Sequence, residues 1–381
     1  MEVLCRHGIW FNILNISIMK KSLAFALVLA AMVACDKAAP APEGTIESKE
    51  SVVVPFDGAT IKYSLTANCD WKVTTTTVDV VPMKGTEGTT ELTVVVPPNH
   101  TSDAVKESFT VAFTNADGVS ELKVVEIAVP APSLEYGGYT YGVKYFGDGN
   151  YWMTENLHYI PEGVNVSDDP KTGTMWYPYS LELKEGAKSP TVKDILKDDA
   201  SIAKFGYFYS PALALGVEKI DASNYNTLEK TRGICPEGWH IPSAAELFKL
   251  CGASVKMDNE DTKPADDPNA MFWDPELQYG SVAKSFEHGF NFQPAGSVMS
   301  GKYMTAMIDD TKCDVKEYLG MNGMTYLLGS TGHAIIKDGK QTGEQVTGMM
   351  TTFTKVYLKG RLSVAYLALN TGVSVRCVKD K

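Results

Sequence analysis

The 381-residue chain is short of positive charge: 35 lysines and arginines stand against 46 aspartates and glutamates, a formal net charge of −11. An acidic surface repels phosphate backbones and anionic head groups, which argues against a nucleic-acid partner. Catalytic signatures are scarce as well. The six histidines show no His-x-x-x-His spacing, and no Gly-x-Ser-x-Gly elbow or Cys/His nucleophile pair stands out. Carboxylates are plentiful, but no pair is singled out as the acid and base of a glycosidase. The expectation is a protein that is not an enzyme and needs no cofactor. After the N-terminal region there is also no second apolar stretch long enough to cross a membrane.

What is present begins with Met19-Lys20-Lys21, a short positive segment, followed by an apolar run of 11 residues from Leu23 to Val33. The run is too short for a permanent span and suits the apolar core of a secretory signal. It ends in Met32-Val33-Ala34-Cys35, which resembles the lipobox of bacterial lipoproteins. The resemblance implies a signal peptide over residues 19–34, cleavage before Cys35 and lipidation of that cysteine, with more than one acyl chain to make the membrane attachment stable. Residues 1–18 read as an upstream extension, with Met19 as the start. Residues 1–34 carry Arg6, Lys20 and Lys21 against Glu2, so their removal takes the net charge from −11 to −13. Residues 35–44 follow as an anchor and an extended Ala/Pro spacer. Of seven cysteines, five lie beyond Cys35 in a chain expected outside the cytoplasm, where disulfides persist. An odd number leaves at least one unpaired within the chain.

The remaining length suggests two domains. From residue 45 to 130 the pattern is period-two alternation broken by turns. Thr60 to Thr66 places Ile61, Tyr63 and Leu65 on one face. Ser51 to Pro55, Trp71 to Val73, Glu91 to Val96, Glu107 to Phe113 and Glu121 to Val129 read as further strands. Short strands at intervals near ten residues predict an all-β immunoglobulin-like sandwich. The elements Val52-Val53-Val54-Pro55, Asn68-Cys69-Asp70-Trp71-Lys72-Val73 and Gly85 to Val94 resemble the BACON domain of Bacteroidota surface proteins. Trp71 reads as the core plug of this sandwich rather than a sugar platform, and the module as a spacer. Pro130-Ala131-Pro132-Ser133 marks the boundary.

From residue 131 to 381 the composition turns aromatic and Gly-rich. Gly142 to Leu157 reads as strand, turn and strand, and Phe205 to Tyr209 as an aromatic strand. Ser243-Ala244-Ala245-Glu246 is a capping box opening a helix, with Leu247, Leu250 and Cys251 on one face. Ser189-Pro190 reads as the cap and first residue of another helix. Cys235-Pro236-Glu237-Gly238-Trp239-His240-Ile241-Pro242 and Ser374-Val375-Arg376-Cys377-Val378 are the most specific motifs. With Phe290 to Gly296 and Tyr326 to Thr331 they resemble the Fibrobacter succinogenes major paralogous domain, which is similar to the C-type-lectin-like fold. That resemblance implies an α+β domain whose first and last strands pair, with helices flanking a small sheet. It also implies a disulfide from Cys235 to Cys377. A second pair, Cys251 with Cys313, stays open, since both are left in this module.

The lectin-like resemblance implies a surface binding or adhesion protein, with a glycan or a host or matrix protein as ligand. The candidate surface runs from Gln293 to His333, with Tyr303 and Tyr326 as stacking residues. A structural or accessory subunit of a fimbria or a glycan-uptake complex is the alternative. An enzyme like the formylglycine-generating oxidases is disfavoured, because the cysteine pair their chemistry needs near the C-terminus is reduced here to Cys377. His240, inside a turn motif, reads as structural. The acidic insertion from Asp258 to Asp274, with Glu260, Asp261, Asp266 and Asp267, reads as solvated rather than as a metal site. The expected location is the cell envelope, as a surface-exposed outer-membrane lipoprotein attached through its lipid.

Overall fold

The computed structural model describes residues 38–48, 54–146, 149–182, 184–187, 191–254, 265–293, 295–299, 301–304, 324–337, 340–352, 362–364 and 369–381. Cys35, the signal segment, Cys313, Ser51 to Val53, Ser189-Pro190 and Asp258, Glu260 and Asp261 lie outside the described residues. The structure is mostly β, with antiparallel sheets in the N-terminal part and a β-rich C-terminal domain carrying a few helices. Its internal contacts divide it into two compact units. One comprises the chain up to Val52 with Ile61–Val94 and Ser108–Val125; the other comprises Val53–Thr60, Val95–Glu107 and Glu126–Lys381.

The N-terminal strands are β1 (Gly44–Ser48), β2 (Ala59–Ala67), β3 (Asp70–Thr76), β4 (Asp79–Val81), β5 (Lys84–Gly85), β6 (Gly88–Val96), β7 (Val105–Thr114) and β8 (Ser120–Val129). They form two four-stranded sheets, ordered β1-β2-β6-β4 and β5-β3-β7-β8. The expected alternation holds on β2, where Ile61, Tyr63 and Leu65 are buried between exposed neighbours. Leu92 and Val94 on β6 and Phe109, Val111 and Phe113 on β7 do the same. Tyr63 and Phe109 meet edge to face at 5.5 Å between ring centroids, so the two sheets turn their apolar faces to each other. Trp71 is 2 % exposed and its ring fills the space where Gly85 has no side chain. It is a core residue.

At the start of this unit, the Ala/Pro segment from Ala39 to Gly44 is fastened to the sandwich by hydrogen bonds. Asn115 Nδ2 donates to the Pro40 carbonyl and Asn68 Nδ2 to the Ala41 carbonyl, each at 2.9 Å. Extended Pro-rich backbone leaves its carbonyls unpaired along the chain, and the two asparagine side chains collect them.

The C-terminal domain is organised by β9 (Ser133–Tyr136), β10 (Tyr139–Tyr145) and β11 (Tyr151–Met153). They join Trp239–His240 and Val378–Lys379 in an antiparallel five-stranded sheet, with Val378–Lys379 next to β11. The final strand of the domain thus pairs with its third strand, while the first, β9, lies at the far edge of the sheet, where the family resemblance implied that first and last would pair. Both faces of this sheet are covered. Tyr151, Met153, Val375 and Cys377 enter one hydrophobic cluster, while Trp152 and Val378 enter another with Leu247, Phe272 and Phe290. Burial on both sides explains three consecutive buried residues in β11 where a half-exposed strand would alternate.

Helices occupy Asp199–Phe205, Pro211–Ala214, Ala244–Cys251 and Val282–Glu287. Each starts on an oxygen side chain that accepts from the first turn: Asp198, Ser210, Ser243 and Ser281. The Ser243–Glu246 capping box forms reciprocally, and Leu247, Leu250 and Cys251 are all buried. The helix expected after Ser189-Pro190 is absent. Thr191–Ile195 is instead a strand paired with Tyr179–Glu182, and the helix begins eight residues later behind Asp198. Thr191, Val192 and Ile195 are β-branched and prefer a pleated partner to a helical turn. Among the described residues no helix is long and apolar enough to cross a membrane.

Candidate functional site

The two most specific sequence motifs meet at the edge of the five-stranded sheet. Trp239 and His240 pair with Lys379 and Val378, and Cys235 and Cys377 are joined by a disulfide across 142 residues. Both cysteines are fully buried. The pairing implied by the lectin-like resemblance is the one present.

His240 is 5 % exposed and held at both ring nitrogens. Nδ1 lies 2.5 Å from Asp380 Oδ1, and Nε2 lies 3.2 Å from Glu246 Oε2. Glu246 also accepts from Ser243 N and Oγ and from Lys230 Nζ at 2.8 Å. Burial disfavours charge on His240, but the hydrogen bonds with Glu246 and Asp380 prevail and hold its pKa above the ordinary value. Burial likewise works against the Glu246 carboxylate, yet its bonds with His240, Lys230 and Ser243 carry its pKa well below the usual range. The network ties the turn, the capping box and the penultimate residue together. With both nitrogens engaged by carboxylates, His240 has no ring atom left to relay a proton to a substrate.

Arg376 is fully buried in the middle of the second motif. Its Nε donates to Asn156 Oδ1 at 2.8 Å, Nη2 donates to the Asn291 carbonyl at 2.8 Å, and Nη1 donates to the Phe290 carbonyl. The guanidinium carbon lies 4.5 Å from the Phe290 ring centroid, a cation–π arrangement. Burial lowers its pKa to about 9, which leaves it charged at neutral pH. The motif's arginine thus orients the Phe290–Asn291 loop on the sheet. Sequence reasoning named the motif without a role for this residue; an arginine set between Val375 and Cys377, two apolar residues, was the signal, since a buried arginine needs partners for its charge.

Of the two tyrosines of the expected ligand surface, the structure describes the side chain of Tyr326 alone. Tyr326 is 2 % exposed and packs in the cluster with Tyr209 and Val373, where its ring offers no free face. Tyr303 lies in the strand Lys302–Met304, paired with Val298. Cys251 is buried on its helix, and its proposed partner Cys313 is outside the described residues. Asp267 caps a local turn by accepting from Asn269 N, and no group of three metal-ligating side chains occurs among the described residues.

A different aromatic group is displayed. Gly137 and Gly138, with φ of 60° and 83°, make the two-residue turn between β9 and β10, a conformation that suits glycine. Tyr136 and Tyr139 flank this turn as cross-strand partners. A side chain at Gly137 would strike the Tyr159 ring, which packs 4.5 Å from Tyr136. Tyr139 is 39 % exposed. Beside it, His158 is 4 % exposed, its ring 4.9 Å from both Tyr139 and Tyr141. Neither of its nitrogens has a hydrogen-bond partner among the described residues, and burial lowers its pKa to about 4. The signal in the sequence is the run Tyr136-Gly-Gly-Tyr139-Thr-Tyr141, an aromatic hairpin.

Among solved structures, one likeness is to a Bacteroides ovatus GH5 xyloglucanase in complex with a XXXG heptasaccharide. It has 15 % sequence identity and a TM-score of 0.19, over 24 % of this chain and 20 % of that one. A likeness of that size carries no argument, and the chain spans about a fifth of that enzyme's length. No curated protein matches the chain. The family model for the Fibrobacter succinogenes major domain matches residues 147–379, a segment that begins just before β11 and holds both motifs, the disulfide and the buried arginine. The chain belongs to the Fibrobacter succinogenes major domain family.

Proposed function

We propose that this protein is an exported lipoprotein of the cell envelope that binds a glycan or a host or matrix protein through its C-terminal domain, without catalysing a reaction. The observation that carries the binding reading is the tyrosine hairpin. Tyr139 is displayed with its ring 4.9 Å from that of His158, a buried side chain whose two nitrogens find no partner among the described residues, and a buried polar group without a partner costs about 1–3 kcal/mol. Unmet polar groups of this kind recur at functional sites. Aromatic rings with a polar atom at hand stack on the apolar faces of sugars and grip protein side chains equally well. The histidine and carboxylates of the motif region are fully used in holding the fold, which favours recognition over chemistry.

The finer architecture belongs to the same proposal. The facing sheets of the N-terminal unit suit an immunoglobulin-like sandwich of BACON type, acting as a structural support. The flanking helices and the pairing of early and late strands suit a C-type-lectin-like second domain. Cys35 is the lipidation site after the signal segment 19–34, and the protein faces the outside of the outer membrane.

Two measurements test this. Cells fed a labelled fatty acid should label the wild type and lose both label and membrane fractionation in Cys35→Ala; a labelled alanine variant would sink the anchor. The full chain, applied to an array of glycans and matrix proteins, should bind a defined subset, and Tyr139→Ala should weaken that binding about tenfold or more, the loss of one stacking contact. Binding untouched by Tyr139→Ala and Tyr159→Ala would move the site away from the hairpin.

A further inference from the structure

We infer that the segment before β1 is a strap that clamps the N-terminal unit against the lipid head groups, so that this unit is a membrane-seated base rather than a raised stalk. The inference rests on lipidation at Cys35 for its membrane part, while the strap itself stands on geometry alone.

The strap is bonded at nearly every residue. Ala39 N donates to Asp117 Oδ2 at 2.7 Å, and Asn115 and Asn68 bind the carbonyls of Pro40 and Ala41. Glu43 N donates to Asn68 Oδ1 at 2.8 Å, and Asn68 N returns to the Glu43 carbonyl at 3.1 Å. Lys123 Nζ reaches the Gly44 carbonyl at 2.5 Å. Pro42 is buried, and a side chain at Gly44 would occupy the Phe113 ring, so the strap enters β1 through a seat only glycine fits. Asn115 is itself oriented, because its Oδ1 accepts from Asp117 N and Val119 N.

Chain length then sets the consequence. From Cys35 to Ala39 there are four residue steps, which span at most about 14 Å fully extended. A free spacer through residue 44 would have more than doubled that reach. The end of the sandwich carrying Asn68, Glu87 and Asn115 therefore stays within one short tether of the acyl chains. This end also holds an open cavity of about 440 Å³ whose walls include Ala39, Pro40, Asp70 and Glu87. No lysine or arginine lines it. An acidic rim at a head-group layer favours a zwitterionic or neutral surface and is repelled by an anionic one.

The test has two arms that fail separately. In the first, hydrogen exchange is read on the unlipidated chain 36–381. The Ala39 and Glu43 amides should exchange about tenfold or more slowly than in the Asn68→Ala/Asn115→Ala double variant, the loss expected for releasing a few hydrogen bonds. Equal rates in both would overturn the strap. In the second, lipidated protein sits in phosphatidylcholine vesicles, with a fluorophore on Glu87→Cys in a Cys69→Ser background and a quencher on the head groups. Strong quenching is expected, reduced in the double variant and in a variant with ten Gly/Ser residues inserted after Lys37. Quenching that is weak in the parent, or equal in parent and insertion variant, would overturn the membrane seat. A chain that never floats with vesicles would refute the lipid anchor and the seat together, while the first arm still decides the strap.

Discussion

Replacing Arg376 with methionine is the most informative single perturbation of the C-terminal domain. Methionine approximates the length and bulk of the aliphatic stem but removes every donor. Three acceptors lose their partner: Asn156 Oδ1 and the carbonyls of Phe290 and Asn291. Each orphaned buried acceptor costs roughly 1–3 kcal/mol. Against this stands the desolvation of a fully buried guanidinium, several kcal/mol that the variant no longer bears. Asn156 also keeps its bonds from Nδ2 to the Phe205 carbonyl and Ser374 Oγ, so the loop is loosened rather than released. The balance is a loss of about 3 kcal/mol, or roughly 6–12 °C in Tm for a domain of this size. Urea unfolding followed by tryptophan fluorescence reads it, since Trp152 and Trp239 are both buried in this domain. Arg376→Lys should recover only part of the loss, because one ammonium cannot serve three separated acceptors. Unchanged stability in Arg376→Met would mean that burying the charge costs as much as its bonds return, and the arginine would then not organise the Phe290 loop.

Two further expectations concern the same region. Closing a loop of 142 residues constrains the unfolded chain by about 5 kcal/mol in the loop-entropy model, so Cys235→Ala/Cys377→Ala should unfold at markedly lower urea; an unshifted midpoint would contradict this. Stability should peak near pH 6.5, the ordinary histidine pKa, with a different histidine on each side. His240 has a raised pKa, so its contribution is complete below about 6.5 and is lost as pH rises through its folded value. His158, lowered to about 4, resists protonation in the fold and so destabilises progressively from about 6.5 down towards 4. Glu246, also lowered, adds stability that is lost only at still more acid pH. Melting curves across pH should show His240→Gln flattening the alkaline limb and His158→Phe flattening the acid one; identical profiles in either variant would remove that histidine from the account.

Local signals were legible where one residue's neighbours decide its state. The alternation of Ile61, Tyr63 and Leu65 needs only a half-buried strand, and the Ser243–Glu246 box needs only its own first turn. Signals that depend on distant partners were not. Thr191–Ile195 followed a plausible helix start, yet its β-branched residues found a strand at Tyr179–Glu182. Tyr326 illustrates another limit: an aromatic residue in a strand has the same composition facing inward or outward, and the sheet that buries it lies elsewhere in the chain. The Ala/Pro segment carries no sequence signal for the side chains of Asn68 and Asn115 that bind its carbonyls, because both lie far along the chain. The tyrosine hairpin was passed over because its significance lies in His158, which reaches it from the next loop.

The pairing of Trp152 with Val378 has a consequence for how the protein is made. The bond from Cys377 N to Met153 Sδ joins residues 224 apart, and the strand beside β11 cannot be filled until residues 378 and 379 are present. A chain emerging from the ribosome N-terminus first can assemble the β1–β8 sheets while the second domain is still incomplete. That domain must wait, with Trp152, Phe290 and Cys235 uncovered, for a segment of only a few residues to arrive. Long-range closure of this kind is slow, and the waiting state exposes apolar surface and a thiol. Loss of the last six residues would remove Arg376, Cys377, Val378 and Asp380 at a stroke, so a premature stop near the end should yield a product cleared by proteases rather than a slightly shortened protein.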